Sequence, residues 1–534
     1  YGFGLQQTVA ESTGAVSTVY ADEINSRSAL TIGNSLYGNV LGLTTMQKTG
    51  ATWEQMPSMY IRGLKTLNGR NGILVVVDGL ERDNAWNVLN YITPEEVESV
   101  SVLRDAAALA LYGYKGVNGV LNIVTKRGKY KSKEINFKYD HAINWQARKP
   151  ELADAYTYAN ALNEALTNDG KTIRYSQNEL NAFKSGQYPY LYPNVDWWKE
   201  TFRDRGASDI ATLSFRGGST RMRYFTMLNL QNNSGFIANA NMNQGYSTQE
   251  KFSKGNFRTN LDVDLTPKTK MKANIMGVLN EFSRPGLGSD NLISKLYVIP
   301  SAAFPIKTED GLWGGNATWN GYSNPVALTQ ARAYTKGHTR ALYADMSLRQ
   351  DFSSITNGLG GSIRMGYDNI ASYWENHSKE YKYGSKSVTS WSNGEPIEYK
   401  TYTGGVDGEM SGDSKLDWQY RSFNFQANMD YQRQWGNHNL YTMLMYTYKY
   451  DNAKETNRTY YSQNGAWYTH YGYKNRYIAD LTLMNSASNV LEKGHKWHLS
   501  PTVGLAWIAS NEEFMKTLSF VDFLKVRASF GILN

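Results

Sequence analysis

The chain has no cysteine and only 12 prolines in 534 residues. The first absence excludes a disulfide framework and any thiolate-held zinc or iron–sulfur site. Charge is scarce too: Asp, Glu, Lys and Arg make up 19%, against about 25% in ordinary globular proteins. The net charge of +8 is small for this length and its basic residues are dispersed, which argues against nucleic acid as a partner. No run reaches the roughly 18 apolar residues of a membrane-crossing helix; the densest is residues 73–77, inside ILVVVDG. There is no GxSxG elbow and no HExxH motif. His495 and His498 stand three apart without a third ligand nearby. No catalytic residue, cofactor or metal is expected, and the chain does not read as an enzyme.

What is present is aromatic: 39 Tyr, 18 Phe and 14 Trp, 13% of the chain. That excess excludes a disordered chain. It is unevenly spread. Residues 1–130 are poor in Tyr and mix helical and strand patterns; residues 131–534 hold most of the Tyr and Trp.

The second zone alternates. Over 257–266, Phe257, Thr259, Leu261, Val263 and Leu265 share one face, and Arg258, Asn260, Asp262, Asp264 and Thr266 the other. Over 422–432, Phe423, Phe425, Ala427, Met429 and Tyr431 oppose Ser422, Asn424, Gln426, Asn428, Asp430 and Gln432. Turn signals such as Gly217-Gly218-Ser219 and Trp435-Gly436-Asn437 separate the runs. The pattern predicts strands near 134–145, 208–216, 220–233, 252–265, 270–284, 338–352, 361–378, 417–434, 439–455, 458–472, 476–487, 497–510 and 523–533. Short turns alternate with long connections at about 146–207, 285–337 and 379–416. Many strands exceed ten residues, where soluble sandwiches use about five or six. Long strands, apolar-out and polar-in alternation, one end of short turns and one of long loops, and spare aromatics for interfacial girdles favour an outer-membrane barrel over the alternative, a soluble all-β protein with one wet face. A polar lumen also accounts for a mean hydropathy of −0.54.

In the first zone, ILVVVDG (73–79) reads as a buried strand and turn. Thr93, Pro94 and Glu96 have the order of an N-cap, N1 and N3, so Glu95 and Glu96 read as first-turn carboxylates. Asp105 reads as the cap of a helix over 106–112, ended by Gly113. GYKGVNG (113–119) follows a helix and precedes a strand, the reverse of a phosphate-binding loop. In the first long connection, residues 152–166 read as a helix, and Ser176 with Glu179 as the capping box of another.

The stretch IRGLKTLNGRNGILVVVDGLERD (61–83), followed by LNYITPEEVESVSVLRDAAALALYGYKGVNGVLNIVTKRGK (89–129), closely resembles the plug of SusC-like TonB-dependent outer-membrane transporters. YGFGLQQTVAESTGAVSTV (1–19) resembles the segment following the Ton box, and LYPNVDWWKETF (191–202) resembles a segment typical of this family. The resemblance runs the length of the chain. It implies a mainly β fold: an antiparallel outer-membrane β-barrel of about 22 strands, roughly 13 of them here, with a small α/β plug in its lumen. The domains expected are a plug over 1–130 and the N-terminal part of the barrel over 131–534. The Ton box, signal peptide and about nine strands are expected outside this stretch, so the chain reads as a fragment.

The resemblance further implies active import of oligosaccharides across the outer membrane of a Gram-negative bacterium. The partners implied are a SusD-like lipoprotein lid, TonB with ExbB and ExbD, and outer-membrane lipid and lipopolysaccharide, with a possible dimer of transporter–lid pairs. Energy would come from the proton gradient through TonB rather than from a bound cofactor. By analogy with the family's plug, loops at about 47–58 and 82–89 face outward, which nominates Trp53, Glu54, Asp83, Asn84 and Trp86 as substrate contacts. Trp391, with Trp313, Trp319, Tyr322, Trp467 and Tyr468, is assigned to the outer loops. Arg62 and Arg104 are expected to pin the plug to the wall by ion pairs. The alternatives are a peptide importer of the same family and a receptor for a siderophore or cobalamin.

Overall fold

The computed structural model describes residues 7–8, 10–47, 52, 56–64, 72–82, 85–286, 289–453, 459–515 and 517–532. The fold is mainly β, with a small mixed unit set against a large antiparallel sheet.

The small unit contains β1 (Val16–Tyr20), α1 (Ala21–Ile24), α2 (Ile32–Ser35), β2 (Leu43–Met46), β3 (Ser58–Ile61), β4 (Leu74–Val77), β5 (Leu80–Arg82), α3 (Ala85–Tyr91), β6 (Val97–Leu103), α4 (Ala106–Leu109) and β7 (Val120–Thr125). Five strands form a sheet in the order β1-β6-β7-β4-β5, with β4 parallel to β7, and β2 and β3 pair separately. A strand covered on both faces reads as a continuous apolar run, and every residue of β4 is buried. Val75 and Val77 pack with Leu36, Val88 and Ile92 on one face; Leu74 and Val76 pack with Leu103, Leu109 and Tyr112 on the other.

The caps form where expected. Thr93 N–H donates to Glu96 Oε1 at 2.6 Å, and Asp105 Oδ1 accepts from Ala108 N at 3.0 Å. Residues 94–96 make just one tight turn, because β6 begins at Val97. The helix expected over 106–112 is α4 followed by a tighter turn, broken at Gly113 with φ of 52°. Any side chain at Gly113 would strike Ser486 and Met484 of the opposing sheet.

The large sheet has thirteen strands, and they match the thirteen expected from alternation. They are β8 (Lys133–Trp145), β9 (Arg205–Gly218), β10 (Met222–Ser234), β11 (Lys251–Thr266) and β12 (Thr269–Pro285); after the two-residue β13 (Trp313–Gly314) come β14 (Tyr334–Asp351) and β15 (Leu359–Ser378). The hairpin β16 (Tyr383–Ser392) and β17 (Glu395–Gly404) precedes β18 (Ser411–Trp435), β19 (His438–Ala453), β20 (Thr459–Tyr473), β21 (Tyr477–Ser488), β22 (Trp497–Ile508) and β23 (Lys525–Gly531). The wall strands lie in chain order as an up-and-down meander, every neighbouring pair antiparallel, with β8 and β23 at the edges. The strands β13, β16 and β17 form a separate small sheet inside the long connections and were not foreseen.

Alternation sorts the two faces. Arg258, Asn260 and Asp262 are buried toward the small unit, while Phe257 is exposed on the opposite face. Ser422, Asn424 and Gln426 are buried where Phe423 and Met429 are exposed. The outward face is therefore apolar and the inward face polar. Aromatics mark its lower margin at Tyr477 and Trp507 and its upper margin at Tyr373, Tyr461 and Trp497. No helix among the described residues is long and apolar enough to cross a membrane. One end of the sheet has short turns; the other carries connections of 146–204, 235–250, 286–333 and 379–410. The first holds α5 (Ala155–Asn168), capped by Asp154, α6 (Gln177–Ser185), whose Ser176–Glu179 capping box forms as expected, and α7 (Trp197–Thr201).

Candidate functional site

Two apolar patches seat the small unit on the wall. In the first, Met276 and Val278 of β12, Ala341 and Tyr343 of β14 and Ile370 of β15 join the small unit's larger core cluster. These are the apolar exceptions on an otherwise polar face. In the second, Leu111 enters a cluster of Met443, Met445, Ala466, Tyr468 and Met484. Gln7 Nε2 donates to the Tyr468 hydroxyl at 2.6 Å, and that hydroxyl donates to Asp480 at 2.8 Å.

Between and around the patches the interface is ionic. Arg82 of β5 donates to Asp368, lies 3.5 Å from Asp345, and has its guanidinium 5.3 Å from the Tyr343 ring centre. Burial favours the neutral form of Arg82, but Asp368 and Asp345 outweigh it and raise its pKa. Glu96, fully buried, serves its capping box and also accepts from Arg258 Nε and, at 2.9 Å, from Asn256 Nδ2. Arg127 donates to Asp262 at 3.2 Å and to Asn274 at 2.7 Å. Lys254 reaches the carbonyls of Leu30 and Asn90, each at 3.2 Å. Burial would raise the Asp78 carboxyl, but Arg127, Arg258 and two bonds from Thr125 hold it below its ordinary range.

These pairs replace the expected ones. Arg62 is exposed, and Arg104 Nη2 donates to Ser17 Oγ at 2.8 Å within the small unit. Glu95 and Glu96 do more than begin a turn: Glu95 accepts from Lys138 of β8 at 3.3 Å. The signal that marks Arg258 in sequence is a cation on the polar face of an alternating run; Arg82, in the short buried β5, carries no such local signal.

Above this seat the wall carries an aromatic shelf. Phe282, Gly337 and Trp374 are successive cross-strand neighbours, four residues outward of Val278, Ala341 and Ile370, or about 13 Å at strand rise. The Phe282 and Trp374 rings meet edge to face at 4.6 Å. The Phe282 ring occupies the space where any side chain at Gly337 would stand. The Arg284 guanidinium lies 4.7 Å from the Trp374 ring centre, and Trp374 Nε1 donates to Asp417 at 2.8 Å. Below it, Trp418 and Tyr420 pack against the seat, and the Tyr420 hydroxyl donates to Asp451 at 2.7 Å. Planar rings ringed by a guanidinium and carboxylates suit a polar ligand with apolar faces. Sequence reading missed this shelf, although Phe282 and Trp374 stand on the polar face of their strands.

Of the nominated contacts, Trp53, Glu54, Asp83 and Asn84 lie outside the described residues. Trp86 stands on α3 with 47% of its surface exposed. The neighbouring Thr52 carbonyl accepts from Asn233 at 3.3 Å, at the long-loop end of β10. Trp391 is in the outer hairpin, 5.6 Å from the Tyr192 ring and 6.5 Å from Tyr188; it packs within the loop cluster, away from Trp86. Burial pushes the Tyr192 hydroxyl well above its usual pKa. Trp313, Trp319 and Tyr322 do sit in outer loops, packed among loop aromatics. Trp467 and Tyr468 do not: both are inside β20, one facing outward and one inward. Gln231 is 4% exposed on the inward face, and neither end of its amide has a hydrogen-bond partner among the described residues. No group of three or more His, Cys, Asp or Glu among the described residues is placed to hold a metal.

A family model described as the TonB-dependent Receptor Plug Domain matches residues 8–120. "TonB-dependent receptor P26" of Formosa agariphila is 26% identical over 99% of this chain and 52% of its own length. "TonB-dependent receptor SusC" of Bacteroides thetaiotaomicron is 24% identical over 99% of this chain and 52% of its own. The chain thus spans about half the length of the curated relatives it matches. Among solved structures, the RagAB peptide importer in its "open-open" state superposes with a TM-score of 0.77 at 17% identity, over 99% of this chain and 60% of that one. The siderophore receptor PirA of Acinetobacter baumannii gives 0.54 at 12%, over 99% and 62%. A small α/β unit seated on the polar face of an up-and-down wall is the plug-and-barrel architecture of TonB-dependent receptors, which are outer-membrane β-barrels. Within that class the chain is similar in sequence to the SusC-like TonB-dependent receptors, at 24–26% identity to the relatives named above.

Proposed function

We infer that the protein containing this chain is a TonB-dependent importer in the outer membrane of a Gram-negative bacterium, not an enzyme, and that its cargo is an oligosaccharide. The reading rests chiefly on the plug's ionic, separable seat beneath a lumen-facing aromatic shelf. Cargo rests against Phe282, Trp374 and Arg284 between the outer loops and the plug. Trp53, Glu54, Asp83, Asn84 and Trp86 supply contacts from the plug side, and Trp391 contributes from the loops. A SusD-like lipoprotein covers the loops, and transporter–lid pairs assemble in twos. TonB, driven through ExbB and ExbD by the proton gradient, draws on the plug; no bound cofactor takes part. Displacement then requires breaking a handful of ion pairs at Arg82, Arg127 and Arg258 rather than unfolding the plug core.

The likeness to a peptide importer favours peptide as the second reading, since Arg284, Asp417 and flat rings also suit a backbone and its termini. A siderophore or cobalamin cargo has weaker support, because the superposition on a siderophore receptor is poorer. Growth of a deletion strain, with the full-length gene restored as the control, distinguishes them. Lost growth on an oligosaccharide, with growth on peptides and iron chelates unchanged, is the expected result. Loss on peptides or chelates alone overturns the glycan assignment.

A further inference from the structure

Outside the lumen, beneath the 235–250 connection, lies a cavity of about 800 Å³. Its floor is on the outward face of β10 and β11. Asn233 points inward to the Thr52 carbonyl, so Asn232 and Ser234 point outward. Lys251 stands opposite Ser234 in the register. The outward position next below Asn232 is Leu230, preceded by Leu228, and both are exposed. The cavity therefore begins where the apolar band ends.

Its lining is cationic and rich in amides. Arg203, Lys251, Asn232, Asn239 and Gln249 contribute, and no Asp or Glu lines it among the described residues. Arg203 is held in place by its own bonds: Nε to the Gly235 carbonyl at 3.2 Å, and Nη2 to Ser234 Oγ at 3.0 Å. Its Nη1 has no hydrogen bond among the described residues, and Lys251 has no ion pair there. Met242, also in the lining, is exposed. A guanidinium and an ammonium at a headgroup level, unopposed by carboxylate, are a phosphate site. The amides add hydrogen-bonding capacity for sugar hydroxyls, and the leucines below would line acyl chains.

We propose that this cavity binds the phosphorylated sugar headgroup of an outer-leaflet glycolipid. Arg203 and Lys251 hold the phosphate, and Asn232, Asn239 and Gln249 hold the sugar. The proposal rests on the outer-membrane placement inferred above. It concerns a structural lipid outside the transport path, distinct from cargo.

The test uses the full-length protein in nanodiscs of phosphatidylethanolamine doped with a bisphosphorylated lipid A, with retention read by native mass spectrometry. Lys251→Glu reverses a cation without touching the Arg203 supports, and Arg203→Gln is the second variant. Arg203→Gln should weaken retention by about fivefold, the effect of one basic residue at a lipid surface, and Lys251→Glu, which changes the charge by two units, by more than that, while heat-modifiability on gels stays that of the unaltered protein. Millimolar inorganic phosphate should not compete. Equal retention by both folded variants overturns the proposal, as does full displacement by inorganic phosphate, which makes this a free-anion site. Absence of the native protein from outer-membrane fractions overturns the membrane reading itself, and this inference with it.

Discussion

The plug's interior and its seat on the wall are built on opposite principles. Inside, β4 and β7 are wrapped in Val, Leu and Ile, with nearly every side chain buried. At the seat, two apolar patches are islands among Asp, Asn, Arg and Lys. Apolar burial is non-directional and gains with every Å² removed from water. Buried ion pairs gain little net stability, because desolvation offsets attraction, yet breaking one by removing a partner is costly. The interior is therefore cohesive, whereas the seat is specific but releasable. Amides such as Gln231, which has no partner among the described residues, point the same way: water entering the interface would satisfy them.

Five variants sharpen this contrast, with plug stability read on the full-length protein in micelles by denaturant titration and protease mapping of the plug. The largest effect is expected from Arg258→Ala, which strands buried Glu96 and should loosen the plug by about 3–5 kcal/mol. The pair Arg258→Met with Glu96→Gln should recover most of that, and no recovery would mean the charges themselves hold the seat. Ile370→Ala removes apolar contact from the first patch of the seat and should loosen the plug by about 2–4 kcal/mol. Trp374→Ala should leave plug stability alone and weaken cargo binding by about 0.5–1.5 kcal/mol, measured by calorimetry once the cargo is known. Gln231→Leu should be the smallest, neutral or stabilising by less than about 1 kcal/mol.

Acid should separate the two regions as well. The Asp78 carboxyl is held below its ordinary pKa in the folded protein. Its contribution is fully present above the unfolded value, near 3.9, and is lost as pH falls through the lower folded value. Plug release by acid is therefore expected below about pH 4, and Asp78→Asn should flatten that dependence.

The wall was legible because a strand with one wet and one apolar face has a period of two. Phe257 and Arg258, or Phe423 and Asn424, declare their faces without help from tertiary contacts. Caps at Thr93, Asp105 and Ser176 were legible for the same local reason. What escaped is non-local. Arg82 meets Asp345 and Asp368 across more than 260 residues, and no spacing rule connects them. Arg62 and Arg104 carry the right charge for the wall, but among the described residues no ion pair joins either of them to it. The β16–β17 hairpin escaped because its alternation is weak and β17 is largely exposed. Trp467 was assigned to the loops on its side-chain chemistry, although the alternation already placed it in the strand expected over 458–472.

The absence of cysteine from these 534 residues permits one direct test of the central claim, that the seat opens before the plug core, in the full-length protein with any cysteine elsewhere replaced by serine. Single substitutions Asn229→Cys, on the wall face against the plug, and Val76→Cys, inside the plug, would be labelled by a maleimide across a urea series. The account expects Asn229→Cys to become reactive at low urea while Val76→Cys stays protected until the plug unfolds. Simultaneous labelling at both positions would mean that plug and seat are one cooperative unit, and would contradict the account.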